Sequence, residues 1–260
     1  MAWITQLQLG ESNIYRICLI FCISFYAYNF IRIVSGFVSK GEPLNERQEW
    51  VNRNKSFLIL LSSLSLLSAL ALILELELWW HPALWISAAI CLAYALPVVS
   101  NSKGIRARDL PFLKIFLIAL SWALICTWLA LENFNFKQAE LLVGAHWLLF
   151  LVAYTIPFDI RDISVDNTKM STIPQVLGLA GARNLGLIFL AGFEIILWIE
   201  LIFYHSIHIL SFVSLLLTAL VLALLIMGSS QDKKDMYYSF WVEGVPSIAI
   251  LAHILFCFFI

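Results

Sequence analysis

The sequence predicts an all-α protein, a polytopic bundle of transmembrane helices. Hydrophobic residues make up 62% of the 260 residues and charged residues only 13%, whereas soluble proteins are roughly 45 to 50% apolar. Stretches without charge repeatedly exceed the roughly 20 residues that an apolar helix needs to span a bilayer. We therefore expect about eight spans that form a single integral-membrane domain over residues 1–260.

The predicted spans follow the apolar runs between charged segments. They cover residues 12–37, 56–78, 82–99, 111–132, 139–158, 183–204, 207–229 and 241–260. The first span contains Arg16, Asn29 and Arg32 and lacks a small-residue cleavage site. This pattern indicates a retained helix rather than a signal peptide.

Lysine and arginine are distributed unevenly between the two sets of loops. The loops 38–55, 100–110, 159–177 and 230–240 hold Lys40, Arg47, Arg53, Lys55, Lys103, Arg106, Arg108, Arg161, Lys169, Lys233 and Lys234, and the opposite loops hold only Lys137. The positive-inside rule places the first set in the cytoplasm and both termini outside. We expect a multi-pass protein of a bacterial inner membrane, surrounded by membrane lipid and without a nucleic-acid partner.

Cysteine and histidine spacing gives little indication of a metal or a disulfide. The five cysteines are dispersed and form no CxxC pair, which argues against zinc, haem attachment and a disulfide framework. His205 and His208 are an i, i+3 pair that either binds a metal or lies in a solvated loop. Glu200 lies near an outer helix end, where we expect it to meet the membrane interface.

Three carboxylates follow the fifth predicted span. Asp159, Asp162 and Asp166 stand at i, i+3 and i+7, and this spacing places them on one helical face. Carboxylates concentrated at a membrane edge need a cation, and hard oxygen ligands suit Mg²⁺, with a phosphate as the natural third component. The alternative is a solvated helix end whose acids only face water.

The same segment resembles a motif of a known family. The run 159–178, DIRDISVDNTKMSTIPQVLG, resembles the second aspartate-rich motif of the UbiA-type membrane prenyltransferases, in which NDIRD-x-x-x-D precedes Thr-Leu-Pro and a glycine. Thr172, Pro174 and Gly178 hold the matching offsets. Tyr94, Arg106 and the Pro-Phe-Leu-Lys run that ends at Lys114 look like the family's Tyr and Lys/Arg segment. The resemblance extends more loosely from about residue 20 to the C-terminus.

The resemblance implies a fold, an activity and a cofactor. Its members surround a central cavity with helices and bind an isoprenoid diphosphate through Mg²⁺, then join the prenyl chain to an aromatic or other lipid-soluble acceptor. Cations stabilise the departing diphosphate, aromatic faces stabilise the carbocation, and an apolar cavity excludes water. The implied metal ligands and catalytic groups are Asp159, Asp162 and Asp166, and the diphosphate contacts that we expect in this chain are Asn29, Arg32, Tyr94, Lys103, Arg106, Lys114 and Arg161.

This chain differs from the family at the first acidic motif. The family usually has nine spans and carries N-D-x-x-D-x-x-x-D at the cytoplasmic end of its second helix. The matching place here is the end of span one, where Asn29 is retained but Phe30 and Ile33 replace aspartates. The family's initial helix is therefore predicted to be missing, and its two-sided magnesium site is not expected.

Two residues are candidates to replace the lost carboxylates. Arg32 lies at i+3 from Asn29 and can clamp a diphosphate directly with its guanidinium fork, or it extends to lipid headgroups. Glu243 begins span eight and can supply a metal ligand, or it only complements the helix dipole.

Two classes of function follow. The first is an integral-membrane prenyltransferase-like enzyme that uses an isoprenoid diphosphate and a possible quinone-precursor acceptor. The second is a catalytically silent relative that binds an isoprenoid or quinone lipid, or a protein partner. A transporter has weak support, because no inverted repeat or pair of broken helices stands out.

Overall fold

The computed structural model describes residues 1–38, 46–99, 105–110, 112–132, 137–163 and 172–259. Ten α-helices occupy most of these residues. They are α1 Ala2–Gln8, α2 Ile14–Val38, α3 Glu46–Arg53, α4 Lys55–Glu75, α5 Pro82–Ala95, α6 Leu113–Leu124, α7 Gln138–Asp162, α8 Ile173–Ile199, α9 Ile209–Gly228 and α10 Glu243–Phe259.

Shorter elements extend or connect these helices. Three π-helical turns, Ile125–Leu129, Glu200–Tyr204 and Tyr237–Val242, continue α6 and α8 and precede α10. Two 3₁₀ turns lie at Leu78–Trp80 and Ala107–Asp109. The strands β1 Pro97–Val99 and β2 Ile105–Arg106 pair antiparallel, so the ends of the basic loop after α5 form a short hairpin ladder.

Six helical segments are long and apolar enough to cross a membrane. They are Ile14–Val34, Lys55–Glu75, Gln138–Asp162, Ile173–Tyr204, Ile209–Gly228 and Tyr237–Phe256. The other two predicted spans correspond to the shorter apolar helices Pro82–Ala95 and Leu113–Leu129, and a 14-residue helix is only about 21 Å long. The described residues confirm a multi-pass helical membrane protein and do not confirm eight spans.

Helix α7 lies at the centre of the bundle. In the apolar part of α7, 61% of the residues are buried, against 17% in the apolar parts of α2 and α4. Its side chains Trp147, Phe150 and Ile156 are almost fully buried and pack with residues of α6, α8 and α9. The helices α2 and α4 pack mainly against each other and expose their remaining apolar surface, as helices that face lipid do.

The start of α8 differs from the prediction. We expected a loop to residue 177 and a span from 183, but α8 begins at Ile173. Gln175 Oε1 accepts a hydrogen bond from the Thr172 backbone N–H at 3.0 Å, and Pro174 occupies the first turn, so capping starts the helix early. Gly178 then breaks the regular geometry at φ 70° and ψ 174°, a conformation that is accessible almost only to glycine.

The short helix α1 was not predicted. It lies at the end of the bundle opposite Asp159, where Ile4 and Thr5 are fully buried. At the same end, Arg16 Nη1 donates to the backbone oxygens of Leu129, at 3.2 Å, and Leu131. Arg16 thereby satisfies carbonyl groups that the end of a helix leaves without partners. We refer to the two ends of the bundle as the α1 end and the Asp159 end.

Candidate functional site

Two segments that the sequence analysis singled out meet at the Asp159 end. Lys114 is the second residue of α6, and its Nζ lies 3.0 Å from Asp159 Oδ1 and 4.0 Å from Asp162 Oδ2. Asp159 and Asp162 stand one turn apart at the end of α7, as their spacing predicts. Asp159 is buried and the Lys114 side chain is 16% exposed. One ammonium group therefore lies between the two carboxylates.

Arg161 supplies a second cation to the same group. Its Nε lies 2.7 Å from Asp162 Oδ1 and its Nη2 lies 3.2 Å from Asp162 Oδ2, the bidentate arrangement that guanidinium favours. Its Cζ lies 5.4 Å from the Phe158 ring centroid and 5.6 Å from that of Tyr238. Its Nη1 is 3.8 Å from Asp235 Oδ1. The guanidinium is thus held between two aromatic rings.

Among the described side chains at the end of α7, two cations pair with two carboxylates. Lys114 and Arg161 carry two positive charges, and Asp159 and Asp162 carry two negative charges. Buried carboxylates need such partners, because an unpaired buried charge destabilises a fold by several kcal/mol. Asp235 adds a further carboxylate at the rim, where its side chain is 63% exposed.

The carboxylates of the cluster supply part of what a Mg²⁺ site needs. Asp159 and Asp162 offer hard oxygen ligands to a single cation position, now held by the Lys114 ammonium, and oxygen ligands are what Mg²⁺ prefers. Within the described ranges, no group of three His, Cys, Asp or Glu side chains could hold a metal ion. Asp166, the third predicted ligand, lies outside the described residues. The two carboxylates fit a cation by type, and the magnesium prediction stays a prediction.

An aromatic column runs from this cluster into the core. Phe150, Tyr154 and Phe158 follow one another at i+4 on α7, with ring centroids 6.2 Å and 5.5 Å apart. The Phe158 ring lies 6.5 Å from that of Tyr238. The Tyr238 hydroxyl donates to the Ser230 carbonyl at 2.6 Å, which fixes the start of the last span against the end of α9.

Asn29 and Arg32, the predicted diphosphate clamp on α2, contact other residues of the same helix. Asn29 is buried, and its Nδ2 donates to the Phe25 carbonyl at 2.9 Å. Arg32 places its Cζ 4.0 Å from the Tyr28 ring centroid and donates to the Tyr28 hydroxyl. These contacts lie within α2. They do not test whether Arg32 opposes the Asp159 carboxylates, and that clamp stays a prediction.

The basic loop contributes fewer described side chains. Tyr94 lies near the end of α5, with Arg108 Cζ 5.7 Å from its ring centroid. Arg106 ends β2, and its side chain lies outside the described set, as does all of Lys103. Their predicted contacts with a diphosphate stay predictions.

Glu243 begins α10, and its side chain is exposed. The Tyr154 hydroxyl donates to its backbone carbonyl at 3.5 Å, which joins α10 to the aromatic column. The described contacts do not test a metal role for its carboxylate.

A second polar group was missed by sequence reasoning. His146 Nδ1 lies 3.0 Å and 3.1 Å from the two carboxylate oxygens of Glu200, and both side chains are fully buried. The expectation that Glu200 meets the membrane interface is therefore wrong. The π-turn that follows α8 carries Glu200 inward to α7. Since 54 residues separate the partners, no local pattern indicated the pair.

Comparison with known proteins does not assign this chain to a family. No family model, no curated protein and no solved structure matches this chain.

Proposed function

We propose that this protein is an integral-membrane prenyltransferase-like enzyme that binds an isoprenoid diphosphate at the Asp159 end. The observation that carries the proposal is the contact of Lys114 with Asp159 and Asp162. Lys114 of the Pro-Phe-Leu-Lys segment and Asp159 of the aspartate motif are 45 positions apart in the sequence. A diphosphate site needs both cations and metal-ligating oxygens, and this contact joins them.

Lys114 and Arg161 are the proposed diphosphate donors at the end of α7. Arg161 Nη1 is buried and has no hydrogen-bond partner among the described residues, with Asp235 3.8 Å away. A phosphate oxygen would give that nitrogen an acceptor. Guanidinium binds phosphate in the same fork geometry that it uses with carboxylate. The basic loop, with Lys103 and Arg106, and the residues Tyr94, Asn29 and Arg32 are proposed to complete the site.

Asp159, Asp162 and Asp166 are the residues that would hold Mg²⁺, with Glu243 as a further candidate ligand. A bound Mg²⁺ would neutralise charge on the departing diphosphate. The carboxylates orient the cation, and Lys114 and Arg161 hold the phosphate oxygens. Lys114 pairs with Asp159 and Arg161 pairs with Asp162, so both carboxylates have a cationic partner before substrate binds.

The aromatic column is proposed to accommodate the prenyl chain. The rings of Phe150, Tyr154 and Phe158 follow one another along α7 toward Asp159, and aromatic faces stabilise a neighbouring cation. We propose a cavity beside this column that is closed to water, because an allylic cation would otherwise react with it. The acceptor is proposed to be lipid-soluble, an aromatic or quinone-precursor compound.

Thermal unfolding with and without ligand tests the proposal. Geranyl, farnesyl and geranylgeranyl diphosphates are added with Mg²⁺ to the purified protein, and the corresponding alcohols serve as ligands without diphosphate. A ligand at a hundred times its dissociation constant stabilises the folded state by about 2.7 kcal/mol. We expect at least one diphosphate to raise the unfolding temperature in a Mg²⁺-dependent way.

Asp162→Asn should abolish this protection. Asp232→Asn is the matched control, since Asp232 is an exposed carboxylate of the loop that precedes the last span, and it should retain the protection. If no diphosphate protects the wild-type protein, the prenyltransferase proposal is wrong.

A silent relative is the second candidate, and the paired charges of the cluster favour it. Lys114 and Arg161 already neutralise both carboxylates without a metal, as a purely structural ion-pair network would. In this case the protein binds an isoprenoid or quinone lipid, or a protein partner. Equal protection by alcohols and diphosphates, with no diphosphate release in the presence of acceptors, would support this candidate.

A further inference from the structure

The α1 end of the bundle contains buried polar groups that the proposed enzyme does not use. His146 stands thirteen residues before Asp159 on α7, which places it about 20 Å away along the helix axis. Its partner Glu200 is equally buried. An ionisable pair inside a membrane bundle is a candidate functional site by default, because such groups are costly to keep there.

Several buried polar atoms at the α1 end have no hydrogen-bond partner among the described residues. His146 Nε2, both amide atoms of Gln8, Thr127 Oγ1 and Ser206 Oγ are buried without a hydrogen-bond partner among the described residues. Ser206 is directly connected to the pair, since its backbone N–H donates to the Glu200 carbonyl at 3.1 Å. Buried polar atoms that the protein leaves without partners generally bind ordered water. This end of the bundle therefore requires hydration.

Helix α1 packs at this end of the bundle, next to Trp147, the neighbour of His146. Thr5 Oγ1 accepts from Trp147 Nε1 on α7 at 2.9 Å, and Trp147 packs against His146 with ring centroids 4.9 Å apart. Trp3 packs edge-on against His253 of α10, at 5.4 Å. The Cys126 thiol, in the π-turn after α6, lies beside the backbone of Ala2. Helix α1 thus contacts α7, α10 and the π-turn that continues α6.

Helix α1 is attached in part by polar contacts of Gln6, which exchanges two hydrogen bonds with Asn13 across Gly10. Gln6 Nε2 donates to the carbonyls of Ala130, at 2.8 Å, and Asn13, at 3.1 Å, and water can replace such hydrogen bonds at modest net cost. Gly10 follows the helix at φ 71°, with no atom near its missing side chain. A glycine in open space is a suitable hinge.

We propose that α1 is a movable plug that controls the access of water to the His146–Glu200 pair from the α1 end. In the closed position α1 seals the polar groups within the bundle. When α1 moves away, water reaches His146. This inference does not depend on the proposed prenyltransferase activity, since it concerns the opposite end of the molecule.

A disulfide that locks α1 in place tests the plug. Ala2→Cys is introduced into full-length protein in which Cys126 is the only other cysteine, after replacement of Cys18, Cys22, Cys91 and Cys257 by serine. Deuterium exchange at the imidazole C2 position of His146 is followed by mass spectrometry in the oxidised and reduced states. Exchange at this carbon requires D₂O from the bulk solvent to reach the ring.

We expect oxidation to slow exchange at His146 at least about tenfold, because the lock removes the local opening, and reduction to restore the rate. His205 is exposed and should exchange equally in both states. Equal rates at His146 in both states, or no exchange at His146 in the reduced protein, would overturn the proposal.

A second variant covers the case in which the disulfide does not form. Gln6→Ala removes the hydrogen bonds to Ala130 and Asn13 and should accelerate exchange at His146 several-fold. Gln138→Ala is the matched control, since Gln138 donates to the Tyr204 hydroxyl at the same end, and it should leave the rate unchanged. An unchanged rate in the Gln6 variant, or equal acceleration in both variants, contradicts the plug.

Discussion

Lys114 on α6 and Asp159 on α7 form a buried ion pair, with 3.0 Å between Nζ and Oδ1. The pair joins two helices at the end of the bundle where the proposed substrate site lies. Removal of either partner should destabilise the fold, because the remaining charge would be buried without a partner. The pair is therefore open to mutational tests of structure as well as of function.

Lys114→Met should destabilise the protein by about 3 to 5 kcal/mol, because it leaves a buried carboxylate without its cation. The double variant Lys114→Met with Asp159→Asn should lose much less than the sum of the two single variants, since neither charge remains. Equilibrium unfolding in mixed micelles measures the four proteins of this cycle. Additive losses would contradict the ion pair.

The pH dependence of stability should contain a contribution from His81. Burial lowers the pKa of His81 from 6.5 to about 4, and the nearby Arg16 charge acts in the same direction, while a hydrogen bond to the Trp128 backbone opposes them. Above pH 6.5 the folded and unfolded states both keep the imidazole neutral. As the pH falls from about 6.5 to 4, only the unfolded state binds the proton, and stability should fall by about 3 kcal/mol.

His81→Gln removes this titration. The variant should show a shallower decrease of the unfolding temperature between pH 6.5 and 4 than the wild-type protein. His205→Gln is a suitable control because His205 is exposed. If all three proteins lose stability equally over this range, His81 does not carry the effect.

Gly178→Ala should destabilise the protein by about 1 to 3 kcal/mol through its backbone alone. Gly178 has φ 70°, and an added Cβ would meet no atom within 4 Å, so the effect cannot come from a clash. Gly244→Ala is the control, since it lies in α10, also has open space around it, and should be neutral or stabilising. Urea or thermal unfolding of the two variants compares these positions directly.

The predicted orientation can be checked by labelling. Single cysteines at Lys103 and at His205, in a background without native cysteines, are treated with a maleimide that does not cross the membrane. The positive-inside rule predicts labelling from outside only at position 205. Labelling of position 103 in intact cells would contradict the predicted orientation and indicate the opposite one.

The class of the protein was determined by the sequence, because the hydrophobic effect acts on composition and on run length. Long apolar runs predicted the segments that became α2, α4 and α9 to within a few residues. The length of an apolar run was a poorer guide at α5 and α6. The runs there include loop and strand residues, so the helices are shorter than the runs. This criterion also missed α1, since Thr5 and Gln6 are polar side chains that only tertiary contacts bury.

In the candidate site, the sequence determined which carboxylates share a helical face, and the tertiary structure determined which cations meet them. Asp159 and Asp162 share a helical face because i, i+3 spacing is a local property of the chain. The cations that meet them were decided by packing, because Lys114 reaches the carboxylates only where α6 lies against α7. The same is true of His146 and Glu200, which stand 54 positions apart. Local periodicity carries no information about such partners, and a low-dielectric interior makes their pairing a condition of the fold.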